Sequence, residues 1–219
     1  MIFAQYKMYK KTITLIICLL FICFASNAQK QEYSAPNLKA ELSKHKIVAI
    51  LPFRVTISFK KVPENFDEAA NKAQELNDGL HMQEGMYTYL LRKEKDYTVS
   101  FQDIDRTNVL LKKAGFFDKI DETLPDSLCK ILGVDAVIKN SYAYEKTASE
   151  AGAIAKTILL GGFGSKTASG SLTMQIYNGT GGTLLWRFYK EMNETVFSSA
   201  DEVMERMMRK VSRNFPYER

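Results

Sequence analysis

The chain has 219 residues, with 30 Lys or Arg against 25 Asp or Glu and a formal net charge of +5. Three of the lysines lie in the first 28 residues, which contain no acid, so 27 basic residues face 25 acidic ones in the remainder. This balance excludes the strongly basic surface that nucleic-acid binding needs. Only Cys129 lies beyond residue 28, which excludes an internal disulfide there.

The amino terminus has the three parts of a secretory signal. Three lysines between residues 7 and 11 precede an apolar run over residues 13–25, and Ser26-Asn27-Ala28 places small residues where a signal peptidase reads. The run is shorter than the ~20 residues that span a bilayer. We therefore expect residues 1–28 to be a signal peptide cleaved after Ala28, with an uncleaved anchor as the alternative. Cys18 and Cys23 both follow isoleucine, so the chain has no lipobox and we expect a periplasmic or secreted protein.

The segment after the signal changes from polar to apolar. Residues 29–45 are polar, contain Pro36 and show no sustained period, which predicts a flexible tether that includes at most a short helical turn at Leu38–Leu42. Residues 46–53, KIVAILPF, form a continuous apolar run that predicts a central strand buried on both faces and closed by Pro52. Residues 54–61 either extend this strand or form an edge.

A long helix is predicted over residues 66–93. Asn65 or Asp67 can cap it, and Gly79 and Gly85 indicate a break near its middle, because glycine costs about 1 kcal/mol in a helix interior. The apolar side chains, which recur mostly at steps of three and four, are Ala69, Ala73, Leu76, Leu80, Tyr87, Leu90 and Leu91.

Two shorter helices and two strands follow. Residues 97–102 alternate as a strand, and Asp103 then caps a helix over 104–114 that ends at Gly115. Pro125 suits the first turn of the next helix, 126–131, which stops at Gly133. Residues 135–144 predict a long strand.

A hairpin and a helix complete the chain. Residues 171–193 form two alternating arms around a turn in which Gly179, Gly181 and Gly182 supply positive φ values. Leu184, Trp186 and Phe188 make the apolar face of the second arm, so we expect Trp186 in the core. Tyr177 and Tyr189 lie on the other face. Ser199 and Glu202 form a capping box for a last helix with one apolar stripe.

Residues 151–170 interrupt this pattern between two strands that should be neighbours. The segment is almost entirely small or apolar, and at some twenty residues it exceeds the usual 2–5 of a hairpin loop. We expect it to be an insertion that contacts a partner or a membrane surface, with a short helix on the domain's own sheet as the alternative. The candidate partner-binding residues are Leu159, Leu160, Gly161, Gly162, Phe163 and Gly164.

Residues with catalytic chemistry are few. His45 and His81 are each expected at the surface, and a metal site at His81 and Glu84 lacks further ligands. Cys129 lies in an apolar helical segment and is expected to be buried. Residues 161–167, GGFGSKT, differ from a phosphate-binding loop because Ser165 replaces the glycine required before the lysine. We therefore predict no catalytic residue, metal, cofactor, nucleotide or nucleic-acid partner.

Three motifs carry a resemblance to a known group. They are KIVAILPF at 46–53, LCKILGVDAVI at 128–138 and TLLW at 183–186. In this pattern the chain resembles bacterial envelope proteins of the fold group that includes the TolB amino-terminal domain, the curli secretion lipoprotein CsgG and the penicillin-binding-protein activator LpoB. The resemblance covers roughly residues 46–216 and implies a non-enzymatic role as adaptor, activator or assembly component. The missing lipobox departs from the two lipoproteins.

Together these observations predict one α/β (α+β) domain over residues 46–217, with a mixed sheet, a C-terminal β-hairpin and helices packed on the sheet. The leading functional hypothesis is a non-catalytic interaction or assembly module of the bacterial periplasm that binds an envelope protein. A membrane-associating or oligomeric secretion-channel component of CsgG type and an enzyme of unrecognised class are the alternatives.

Overall fold

The structure is a computed structural model, and it describes residues 30–146, 170–192, 200–211 and 214–219. The described residues from Gln31 onward belong to one compact unit. The strands are β1 Lys30–Ser34, β2 Ile47–Ile50, β3 Arg54–Phe59, β4 Ser100–Phe101, β5 Ala136–Lys146, β6 Gly170–Asn178 and β7 Leu184–Met192. The helices are α1 Leu38–Leu42, α2 Glu68–Arg92, α3 Ile104–Lys113, α4 Pro125–Leu132 and α5 Ala200–Val211. The fold is therefore the mixed α/β domain that the sequence predicts.

The seven described strands form one mixed sheet in the order β1-β7-β6-β5-β2-β4, with β3 also paired to β5. β5, β6 and β7 are antiparallel neighbours, which confirms the hairpin, whereas β2 and β3 both run parallel to β5. Apolar side chains cover both faces of the sheet. One core contains Trp186 with residues of α2 and α5, and the other contains Ala49 with residues of α3 and α4. Trp186 is buried, as expected.

Strands β2 and β3 pair in succession with the same edge of β5, and a bulge separates them. Ile50 pairs with Ile138 and Arg54 pairs with Ser141, so β2 and β3 advance by one residue more than β5. Within this bulge the backbone N–H of Phe53 donates to the carbonyl oxygen of Gly79 in α2, at 3.3 Å, instead of to β5. Residues 54–59 therefore extend the strand predicted at 46–53.

Helix α2 is continuous, and its buried face differs from the predicted one. Asp67 caps it by accepting from the N–H of Ala70, as expected. No break occurs at Gly79. Glycine is needed there for a different reason, because a side chain would overlap with the carbonyl oxygen of Phe53. The buried residues of α2 are Asp78, Gly79, Met82, Gln83, Met86, Tyr89 and Leu90.

The predicted apolar stripe of α2 is therefore largely wrong. Leu76 and Leu91 are exposed, whereas Asp78 and Gln83 are buried. The error has a physical cause, since the buried polar side chains have partners. The side-chain amide of Gln83 donates to the carbonyl oxygen of Ile50 at 2.7 Å and exchanges hydrogen bonds with Asn108.

Local signals at the shorter helices are confirmed. Asp103 caps α3 through the N–H of Arg106, Pro125 opens α4, and Gly133 ends α4 with φ of +67°. In the hairpin turn Gly181 and Gly182 have positive φ, but Gly179 does not. Gly179 is needed for another reason, because a Cβ there would lie 2.6 Å from the carbonyl oxygen of Asp135.

The second arm of the hairpin contains a bulge that the alternation did not predict. Ile176 pairs with Trp186 and Tyr177 pairs with Leu184, so Leu185 is an extra residue in β7. Leu185 and Trp186 are both buried, whereas Leu184 is only half-buried. Leu185, and not Leu184 as predicted, therefore faces the core.

Residues 30–45 differ from the expected tether. Lys30–Ser34 form the edge strand beside β7, and the indole N–H of Trp186 donates to Glu32 at 3.1 Å. The N–H of Ala35 donates to the carbonyl oxygen of Leu185 at 2.8 Å. Pairing with a distant strand makes this segment ordered although its own composition is polar. The short helical turn at Leu38–Leu42 is confirmed as α1.

His45 is buried, so its predicted surface position is wrong. Nδ1 lies 2.8 Å from the hydroxyl of Tyr217, and Nε2 lies 3.3 Å from Oδ1 of Asn178. The Asn178 amide nitrogen donates to the Glu41 carboxylate, which directs Oδ1 toward the ring. Nε2 therefore carries the proton and donates, while Nδ1 accepts from Tyr217. This network joins the chain before β2, the hairpin turn and the carboxyl terminus.

The contact between Gly79 and Phe53 predicts that Gly79→Ala will destabilise the domain. Helix propensity alone would raise the free energy of unfolding by about 1 kcal/mol. We expect instead a loss of about 2 kcal/mol, because the added methyl group overlaps with backbone. Urea denaturation of Asn77→Ala, at an exposed position of the same helix, measures the propensity effect alone. Gly79→Ala as stable as the unmodified protein would contradict this packing.

Candidate functional site

The six predicted partner-binding residues, Leu159 to Gly164, lie outside the described residues. The structure does show where the sheet ends before these residues and resumes after them. β5 ends at Lys146 and β6 begins at Gly170, which pairs with Tyr144, so both junctions lie at one end of the sheet. β3 ends there too, because Phe59 pairs with Lys146. We call this the insertion end, defined by the described residues Phe59, Val62, Phe66, Tyr144 and Lys146.

Exposed apolar side chains lie at the insertion end, in the connection from β3 to α2. The side chain of Val62 is 60% exposed and that of Phe66 is 39% exposed. Phe66 packs edge-on against Phe59, with ring centroids 5.3 Å apart and an angle of 71° between the planes. Phe59 in turn contacts the main core. Phe66 is thus held by an aromatic contact to the core, and Val62 lies four residues before it in the same connection.

A lysine ends the core-facing row of β5. Tyr142 and Tyr144 point toward α2 and stack with centroids 5.6 Å apart, and Lys146 follows at the next position on the same face. Lys146 is only 6% exposed. Its ammonium group lies 3.3 Å from Oε1 of Gln74 and 5.9 Å from the centre of the Phe59 ring. A buried lysine needs such partners, because desolvation of its charge is costly.

Asp78 of α2 is the acid that faces this lysine. It is 5% exposed, and its Oδ2 accepts a hydrogen bond from the hydroxyl of Tyr144 at 3.4 Å. Burial raises the pKa of Asp78 to about 6, and the positive charge of Lys146 and the Tyr144 hydrogen bond only partly oppose this increase. The carboxyl group therefore changes charge near neutral pH, within a buried cluster.

This cluster was not predicted from the sequence, but a signal for it exists. The core-facing positions of β5 alternate, and Asn140 and Lys146 are the polar residues among otherwise apolar or aromatic ones. A polar residue at a buried strand position predicts a partner from the covering helix. That helix was assigned the wrong buried face, which hid Asp78.

Other residues considered from the sequence have structural positions. Cys129 is buried, and burial raises the pKa of its thiol to about 12, so the thiol stays protonated and unreactive. His81 is exposed, as expected. Tyr177 packs against the core beneath α3 and α4. Among the residues that the structure describes, no cluster of three or more His, Cys, Asp or Glu could hold a metal ion.

In the same described ranges, the helices are all too short or too polar to cross a membrane. The one long helix, α2, carries charged residues along most of its length.

Comparisons with known proteins give weak structural similarities. No protein-family model matches the sequence, and no curated protein matches it. Lipoprotein GNA1162 from Neisseria meningitidis is 15% identical with a TM-score of 0.45, over 77% of this chain and 95% of that one. The PelC dodecamer protein from Paraburkholderia phytofirmans is 12% identical with a TM-score of 0.41, over 87% and 98%. The LpoB C-terminal domain from Salmonella enterica is 9% identical with a TM-score of 0.35, over 73% and 94%. These similarities include one protein of the group that the sequence motifs resemble, and they are too low to assign a family.

The shifted pKa values of Asp78 and His45 predict opposing effects of pH on the stability of the fold. Because the pKa of Asp78 is raised, its protonated carboxyl group contributes fully to the stability of the fold below about pH 4. This contribution is lost as the pH rises through about 6. Burial lowers the pKa of His45, so its contribution is present above about pH 6.5 and is lost as pH falls. Urea denaturation of Asp78→Asn and of the unmodified protein, at pH values from about 4 to about 7, tests the contribution of Asp78.

We expect the unfolding free energy of Asp78→Asn, relative to the unmodified protein, to increase by about 3 kcal/mol from acidic to neutral pH, which is the equivalent of a two-unit shift. His45→Gln should change the profile in the opposite direction. A profile of Asp78→Asn parallel to that of the unmodified protein would show that Asp78 does not titrate in this range.

Proposed function

We propose that this chain is a non-catalytic interaction module that is exported to the bacterial cell envelope, and that a protein partner docks at the insertion end. The observation that carries this proposal is the exposed pair Val62 and Phe66, of which Phe66 packs on Phe59, where β5 ends and β6 begins. Binding energy at interfaces concentrates in a few apolar or aromatic anchors on a rigid base. The signal-like residues 1–28 support export.

The candidate residues within 151–170 belong to the same proposal. Their segment connects Lys146 to Gly170, so its two ends are fixed at the insertion end. The apolar side chains of Leu159, Leu160 and Phe163 would add to the surface that Val62 and Phe66 provide. Gly161, Gly162 and Gly164 would let a partner backbone approach closely. The partner surface is then made by two connections, 60–67 and 147–169.

The buried charges beneath this surface support the role of a rigid platform. Lys146 and Asp78 are desolvated, and Lys146 contacts Gln74 of α2 and the ring of Phe59. These contacts join α2 to the end of β5 and to the last residue of β3. An anchor held in place before binding loses less conformational entropy when a partner arrives. The arrangement thus suits recognition and involves no reacting group.

Photocrosslinking in the envelope of the source bacterium tests the proposal. A photoreactive residue replaces Val62, Phe163 or Leu124 in turn. Leu124 is 68% exposed at the start of α4, whose first turn lies against Gly182 of the hairpin turn, at the opposite end of the sheet. We expect positions 62 and 163 to capture the same protein and position 124 to capture none of it.

Binding of the captured protein is then measured with purified components. Val62→Asp should raise the dissociation constant by about tenfold or more, since it places a charge in an apolar contact. Leu124→Asp, the matched control, should leave it unchanged. Equal effects of the two substitutions, or none from Val62→Asp, would overturn the assignment of the insertion end.

A further inference from the structure

Helix α2 has a second apolar face, which is turned away from the buried one. The apolar stripe that the sequence predicts does exist on this helix, but it is not the face that packs in the core. At about 100° of rotation per residue, its members fall within an arc of about 60° along the whole helix. We call these residues the outer stripe of α2, and they are Ala69, Ala73, Leu76, Leu80, Tyr87 and Leu91.

Much of the outer stripe lies in solvent. Leu76 is 49% exposed and Leu91 is 45% exposed, and the two alanines are exposed as well. Leu80 and Tyr87 are half-buried. A helix that covers a sheet normally presents polar residues on its outer side. A continuous apolar stripe there, in place of scattered single residues, indicates a surface that another molecule covers.

The spacing of the outer stripe is the same in both directions from Leu80. Toward the amino end the stripe continues four, seven and eleven residues away, at Leu76, Ala73 and Ala69. Toward the carboxyl end the same distances lead to Glu84, Tyr87 and Leu91. Eleven residues in three steps average about 3.67 per step, so the stripe runs nearly straight along the helix. A second α2 laid antiparallel across Leu80 therefore meets stripe with stripe over its whole length.

The side chains at matching distances differ in size in a complementary way. In the antiparallel arrangement Ala69 faces Leu91 of the second copy, and Ala73 faces Tyr87 of the second copy. A small residue opposite a large one lets two helices pack at an even separation. Leu80 faces its own counterpart at the two-fold axis. A helix from an unrelated protein would require no such symmetry in the stripe, whereas pairing with a second copy requires it.

The charged residues on this side of α2 permit the pairing. Glu84 is the charged residue within the stripe, and the two Glu84 side chains are about 12 Å apart along the helix axis, which is beyond the Debye length of about 8 Å at physiological salt. At the ends, Glu68 lies opposite Arg92 of the second copy, although each already has an ion-pair partner in its own chain. The antiparallel arrangement also aligns the two helix dipoles favourably.

From this self-complementary spacing we propose that the chain forms a two-fold dimer through the outer stripe, with the two α2 helices antiparallel and Leu80 on the axis. The contact extends over about 33 Å of helix. A single helix pair is a small interface, so we expect a dissociation constant in the micromolar range. Val62 and Phe66 precede α2 and do not belong to the stripe, so this inference does not rest on the proposed function.

Sedimentation velocity of the chain purified after export, over a series of micromolar concentrations, tests for the dimer. Leu91→Asp should raise the dissociation constant at least about tenfold, because it places a carboxylate against Ala69 in an apolar contact. Leu124→Asp, the same change at an exposed leucine outside α2, should leave it unchanged. A chain that is monomeric at every concentration would overturn the proposal, as would equal effects of the two substitutions.

Exchange of the two residue sizes tests the register. Ala69→Leu crowds the contact with Leu91, and Leu91→Ala leaves a gap there, so each should weaken the dimer by about fivefold or more. The double variant again places a small residue opposite a large one and should recover most of the affinity. Both positions are exposed in the single chain, and urea denaturation verifies that its fold is unchanged. Losses that add in the double variant would contradict this register.

Disulfide crosslinking tests the orientation of the two helices. Ala69→Cys and Leu91→Cys chains are oxidised separately and as an equal mixture. The mixture should form disulfides between unlike chains, whereas identical positions lie about 33 Å apart in the antiparallel pair and should not crosslink. The native Cys129 is buried and does not compete. Crosslinking of either variant with itself as readily as in the mixture would rule out the antiparallel arrangement.

Discussion

The contact between Gly79 of α2 and the bulge at Phe53 fixes which face of α2 is buried, and the positions of the buried polar groups on that helix follow from it. The N–H of Phe53 donates to the carbonyl oxygen of Gly79, and only glycine leaves room for the carbonyl oxygen of Phe53. With Gly79 against the sheet, helical geometry places Asp78 and Gln83 on the same buried face. Gln83 then satisfies the carbonyl oxygen of Ile50, and Asp78 meets Tyr144.

Much of the fold could be predicted because its signals are local. Asp67, Asp103, Pro125 and Gly133 mark helix ends through hydrogen bonds or φ values within a few residues, and the structure bears each of them out. The edge strand β1 could not be predicted, because its polar residues gain order from pairing with β7 far along the chain. The bulge at Leu185 likewise depends on register between two strands, which alternation in one strand does not reveal.

The candidate site was harder to predict because it combines buried polar groups from separate elements. Hydrophobic periodicity assigns polar residues to the surface, so it cannot identify Asp78 or Lys146 as buried. Each is buried because the other charge and the neighbouring tyrosine and glutamine offset part of its desolvation. His45 shows the same principle, since its two ring nitrogens find partners on Tyr217 and Asn178. Such residues are recognised only once the covering element is known.

The two ends of the sheet differ in a way that bears on where a partner can bind. At the end with the hairpin turn, His45, Asn178 and Tyr217 join three distant parts of the chain through side chains that are all buried. The donors and acceptors of this network are already paired with one another, so they offer no polar contact to a partner. At the insertion end, Val62 and Phe66 already expose apolar surface above an aromatic base. Covering them removes apolar surface from water and breaks none of the hydrogen bonds of the network at the opposite end. This difference between the two ends supports the proposal that a partner docks at the insertion end.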